Sequence, residues 1–94
     1  MVTVHIPAGL RSFTGGQETV QVEGDATLRA IIERLESAYP GIRAHLVEEG
    51  DIMTGLAFFI NDTQTTEGLT ERVPSEASIR ILPAMAGGAI AWRA

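Results

Sequence analysis

Thr27-Leu28-Arg29-Ala30-Ile31-Ile32-Glu33-Arg34-Leu35-Glu36-Ser37-Ala38-Tyr39-Pro40-Gly41 carries the clearest pattern in this 94-residue chain. Leu28, Ile31, Ile32, Leu35 and Tyr39 recur at the i, i+3, i+4, i+7, i+11 spacing of one buried helical stripe. Arg29, Glu33, Arg34 and Glu36 take the solvent side. Thr27, or Asp25 just upstream, can cap the start by accepting orphan amide hydrogen bonds. Pro40-Gly41 stops the helix. A single helix with one apolar stripe needs a cover, and the flanking sequence supplies strands.

Upstream, Val2, Val4 and Ile6 alternate with Thr3 and His5, predicting a half-buried strand ended by Pro7. Ala8 to Gly16 reads as a punctuated loop with a turn signal at Gly15-Gly16. Thr19-Val20-Gln21-Val22-Glu23 alternates again and returns antiparallel to the first strand. Downstream, Ile42 to Val47 can form only a short second helical turn, with His45 exposed, while Tyr39 belongs to the core. Glu48-Glu49-Gly50-Asp51 reads as a solvated acidic loop. Leu56-Ala57-Phe58-Phe59-Ile60 is an apolar strand closed by the turn pair Asn61-Asp62. Leu69 and Val73 predict a short strand or helical turn. Ser78-Ile79-Arg80-Ile81-Leu82 is the last strand, with Pro83 ending it. This order is that of an α+β, β-grasp (ubiquitin-like) fold. It calls for a mixed four-stranded sheet, its first and last strands adjacent at the centre, with one main helix across one face. A ferredoxin-like fold would need a second crossover helix, and Ile42 to Val47 is too short for one. The expected domain is 1–83, followed by a flexible, glycine-bearing tail at 84–94.

The net charge of -5 argues against nucleic acid or an anionic membrane as partner and favours a basic face on a protein. All seven basic residues are arginine, and there is no cysteine for a disulfide, a thiolate or a thiolate metal site. With no signal sequence and no spanning stretch, the expected location is the cytoplasm. The side chains offer no conventional active site. His5 and His45 lack partners at metal-ligand spacing. The serines lack a nucleophile elbow, and Thr14-Gly15-Gly16-Gln17 lacks the Lys-Ser/Thr of a phosphate loop. The expectation is therefore a non-enzyme with no metal and no bound cofactor.

The main chain is the other candidate. Ala86-Gly87-Gly88 can thread a narrow channel, because glycine carries no Cβ. A terminal glycine carboxylate is also the least hindered acyl group a chain can offer. Ile81-Leu82-Pro83-Ala84-Met85-Ala86-Gly87-Gly88 resembles the closing segment of the ThiS/MoaD family of sulfur carriers. Phe13-Thr14-Gly15-Gly16-Gln17 is similar to the first turn of the branch serving cysteine biosynthesis. Leu28 to Leu35, Tyr39-Pro40-Gly41 and Phe59-Ile60-Asn61-Asp62 resemble the family's helix, helix stop, and third strand with its turn. The resemblance implies a β-grasp whose Gly88 carboxylate is adenylated by an E1-like enzyme using ATP, then converted to a thiocarboxylate. A second partner consumes the sulfur, for cysteine, molybdopterin, the thiamin thiazole or a sulfur-containing metabolite. Here Ala89-Ile90-Ala91-Trp92-Arg93-Ala94 follows the diglycine and blocks the acyl group. In the family a zinc-dependent JAMM-type protease removes such extensions, which places processing at the Gly88–Ala89 bond.

Alternation turns Phe59 and Leu82 outward on neighbouring strands, with His5 nearby. Together with Pro83 and Met85 they form the expected partner-binding patch. Two other functions fit the same residues: a ubiquitin-like modifier joined to targets through Gly88, and an interaction domain whose diglycine is incidental.

Overall fold

The computed structural model describes residues 1–83. Its strands are β1 (Val2–His5), β2 (Thr19–Val22), β3 (Ala26–Thr27), β4 (Val47–Glu48), β5 (Asp51–Ile52), β6 (Leu56–Ile60), β7 (Thr63–Gln64), β8 (Arg72–Val73) and β9 (Ser78–Pro83), with one α-helix, α1 (Leu28–Ala38). The main sheet runs β2-β1-β9-β6-β7. β1 pairs antiparallel with β2 and parallel with β9, and β9 pairs antiparallel with β6. The first and last strands therefore lie side by side, as the β-grasp reading requires. The sheet gains a fifth, two-residue strand, β7, too short to show a period of two in the sequence. Asn61 and Asp62 make its connection with φ of 51° and 70°. Two successive left-handed residues form the hairpin turn whose twist matches that of the strands it joins.

α1 forms as its pattern predicts. Thr27 is the cap: its Oγ1 accepts the Ala30 N–H at 3.2 Å. Asp25 instead meets Arg72 at 3.2 Å. Leu28, Ile31, Ile32 and Leu35 are buried, in one cluster with Val4, Phe58, Ile79 and Ile81. Tyr39 and Ile60 pack only half-buried on its rim, because each sits at the end of its element.

Two stretches read as loops have more order. Ala8–Thr14 is a 3-10 helix, closed by Gly15 at φ 66°. Leu10 and Phe13 pack on the core, and their i, i+3 spacing aligns them on a helix of three residues per turn. In the acidic stretch, β4 and β5 form a hairpin across Glu49 and Gly50, at φ 51° and 78°. A short 3-10 turn, Arg43–His45, leaves His45 exposed and Leu46 buried. Pro83 lies within β9 rather than after it; β1 ends opposite Arg80, so beyond that point only β6 runs alongside.

The sharp exit from α1 rests on Glu36. Its carboxylate accepts the Gly41 N–H at 3.0 Å and the Arg43 N–H at 2.9 Å. Those two amides, Gly41 foremost, hold its pKa below the usual glutamate value. Gly41 has φ 102°, and a Cβ there would sit 3.0 Å from the Phe13 ring. The motif beginning at Phe13 and the one ending at Gly41 are thus in contact.

Replacing Ile31, which is fully buried, with Ala should cost about 2–5 kcal/mol in urea unfolding. A second expectation concerns pH. A folded-state pKa below the unfolded value stabilises the fold above the unfolded pKa, and that stability is lost as pH falls through the folded one. Glu36→Gln should therefore be less stable than the parent at neutral pH. The gap should close as pH drops through and below the ordinary glutamate range.

Candidate functional site

β9 sets out the candidate site by simple alternation. Ile79 and Ile81 turn inward and are buried; Arg80 and Leu82 turn outward and are exposed. Register extends this outer face sideways. Arg80 lies opposite Phe59 on β6 and opposite His5 on β1, while Leu82 lies opposite Ala57. Phe59 and Leu82 are therefore diagonal neighbours, at a separation long side chains can span. His5, Phe59 and Leu82 do share one face, as expected, but Arg80 stands among them. Leu82 is 45% exposed, and Phe59 is half-buried. Pro83, the last described residue, is exposed at the end of β9.

Polar contacts fix the face. His5 Nε2 lies 3.0 Å from Ser78 Oγ, and the Gln21 amide donates to Thr3 Oγ1 at 2.8 Å. Arg80 Nε approaches Asp62 at 3.9 Å, with both side chains largely in solvent. Such an exposed, long pair contributes little. The sequence reading missed Arg80, although the alternation that turned Leu82 outward places Arg80 beside it.

Where β1 leaves the sheet at Pro7, a cleft of about 500 Å³ opens against the end of β9, with His5, Pro7, Arg11, Glu18, Leu82 and Pro83 among its walls. Arg11 Nε donates to the Ile6 carbonyl at 3.0 Å, which braces the departing chain. Among the described residues no three His, Cys, Asp or Glu side chains converge on a metal site. None of their helices is long and apolar enough to cross a membrane. Met85, Gly87, Gly88 and Ala89, with the tail at 84–94, lie outside the described residues.

A mixed sheet clasping one helix, with its C-terminal strand at the centre, defines a β-grasp, ubiquitin-like protein. Residues 4–88 match the ThiS family model, so the chain belongs to the ThiS family. It is 40% identical over 92 residues to the sulfur carrier protein CysO of Mycobacterium tuberculosis, covering 93% of this chain and 98% of that one. It is 25% identical over 77 residues to small archaeal modifier protein 3 of Haloferax volcanii, covering 78% and 84%. Among solved structures, a chain of the Amycolatopsis orientalis BexX/CysO complex matches with a TM-score of 0.84 and 40% identity, over 94% of this chain and all of that one.

The alternation along β9 can be tested with one pair of variants. Leu82→Asp should shift stability by no more than about 0.5 kcal/mol, as at an ordinary surface position. Ile81→Asp, one residue earlier, would bury an uncompensated charge and should cost on the order of 3–5 kcal/mol. Equal urea midpoints for the two would overturn the assignment of faces.

Proposed function

We propose that this chain is a sulfur carrier whose working group is the main-chain carboxylate of Gly88. The observation that carries the reading is the ThiS-family match, which runs to residue 88 and so ends on Gly88 itself. The CysO relatives, named as sulfur carriers, support it. A JAMM-type metalloprotease hydrolyses the Gly88–Ala89 bond and releases 89–94, leaving a free carboxylate. That carboxylate attacks the α-phosphorus of ATP on an E1-like enzyme; pyrophosphate leaves and an acyl-adenylate remains. A sulfur nucleophile adds to the acyl carbon and expels AMP, giving the thiocarboxylate. The protein needs no cofactor of its own, since ATP belongs to the activating partner.

In this reading residues 84–94 form a tail on the domain at 1–83, and the outer face bearing Phe59 and Leu82, with Pro83 and Met85 beyond, docks the partners. The work is cytoplasmic, and a biosynthetic enzyme takes the sulfur. The turn motif Phe13-Thr14-Gly15-Gly16-Gln17 favours cysteine as the product. The match to an archaeal modifier protein supports a second reading, in which Gly88 is joined to target proteins. Intact mass from native cells separates the two: a thiocarboxylate at Gly88, or a covalent conjugate.

Full-length protein should be inert in ATP-dependent adenylation, because the acyl carbon of Gly88 is held in a peptide bond. A form ending at Gly88 should be charged and should gain the mass difference of sulfur over oxygen. Gly88→Ala in that form should react poorly, since the methyl group restricts the backbone and crowds a channel. Phe59→Ala and Leu82→Ala should weaken binding to the activating enzyme by roughly 2 kcal/mol with the fold intact. Equal charging of full-length and truncated protein would refute Gly88 as the acyl site.

A further inference from the structure

The five strands of the main sheet carry almost no charge. Twelve residues are acidic, yet not one lies in any of the five strands of the main sheet. The outer face therefore carries no strand carboxylate, and Arg80 stands near its middle on the central strand. His5 and Phe59 flank it across the strands, and Leu82 follows it on the same face. Its one ion-pair partner among the described residues is Asp62, in the turn beyond β6, at 3.9 Å. That contact is too long and too exposed to occupy the guanidinium fork.

We infer that Arg80 is the specificity-determining centre of this face, and that the face fits a protein partner presenting an Asp or Glu carboxylate ringed by apolar side chains. The inference rests on the docking role given above to Phe59 and Leu82, and adds the chemistry of what they meet. The overall charge of -5 points to a basic partner, but the strand residues of the face that would be buried include a cation, Arg80, and no carboxylate. Arginine is among the residues that dominate binding hot spots, and aromatic side chains such as Phe59 are enriched beside it at protein interfaces. Its planar fork pairs bidentately with a carboxylate once water is excluded. A second copy of this chain is a poor occupant, because related faces would bring two guanidinium groups together.

The test uses the E1-like activating enzyme as probe, with affinity read by calorimetry without ATP on the form ending at Gly88. Arg80→Glu should lower affinity at least about tenfold. Arg80→Lys, which keeps the charge but loses the fork, should fall between that variant and the parent. Reversing one enzyme carboxylate to Arg should restore binding to Arg80→Glu alone, a rescue that mere unfolding could not produce. Wild-type affinity should also fall more steeply with salt than that of Arg80→Gln. If Arg80→Glu binds as the parent does while Phe59→Ala and Leu82→Ala bind weakly, the docking face stands and the inference is overturned. A parent that binds with the Arg80 pattern but is never charged keeps the inference and loses the sulfur-carrier reading. No binding by the parent overturns the inference as well.

Discussion

The parallel pairing of β1 with β9 is the constraint on which the rest of the structure depends. Thr3, Val4 and His5 align with Ser78, Ile79 and Arg80, which joins the two ends of the domain across most of its length. Two parallel neighbours cannot be linked by a tight turn, so everything between them must cross over. α1 makes that crossing and buries its stripe on the inner face. Gly24, just after β2, shows how closely the pieces meet. A Cβ there would clash with Val2 Cγ2 and lie 3.0 Å from the Pro74 carbonyl oxygen. No side chain fits between the β1 start and the loop leading into β9.

Elements of strong period were legible in the sequence. The stripe from Leu28 to Leu35 and the alternation of β1, β2 and β9 survive folding almost unchanged, because burial on one face is what produced them; β6 was legible as an apolar run instead. Most of what the sequence hid was too short to have a period; the seven-residue 3-10 helix Ala8–Thr14 was masked instead by its glycine and proline punctuation. β7 has two residues and its existence depends on β6 being in place. The Glu49-Gly50 turn was hidden because acidic residues there read equally well as a solvated loop. Between Thr27 and Asp25 the sequence left the cap open; the Thr27 hydroxyl reaching the Ala30 amide decides it.

The site was legible in a different way. Alternation placed Phe59 and Leu82 on one face, whereas composition carries no information about the local charge of that face. Net charge sums the acidic turns and the solvent side of α1, whereas a partner meets only the surface it covers. Hence the sign of the whole chain says little about the sign at Arg80. Gly87 and Gly88 were read from the main chain and from resemblance, since no pattern of side chains marks a backbone carboxylate.

On the proposed reading, with a terminal carboxylate as the reacting group, the body of the domain would need little chemistry of its own. Catalytic groups would then belong to the partner, and the carrier would have only to deliver one atom to them. Gly88 lies five residues past Pro83, so even a fully extended chain reaches no more than about 18 Å from the end of β9. A partner that grips the outer face thus holds the carboxylate within that radius, and its arrival in the active site becomes an intramolecular event. Short tethers of this kind give effective concentrations in the millimolar range. The same reach limits the geometry: the partner's nucleotide site must lie within about 18 Å of the point where its surface meets Pro83. A patch anywhere else on the domain would have to spend tail length crossing the surface before reaching that site. The centre of the sheet, where β9 ends, is therefore the place from which so short a tail serves best.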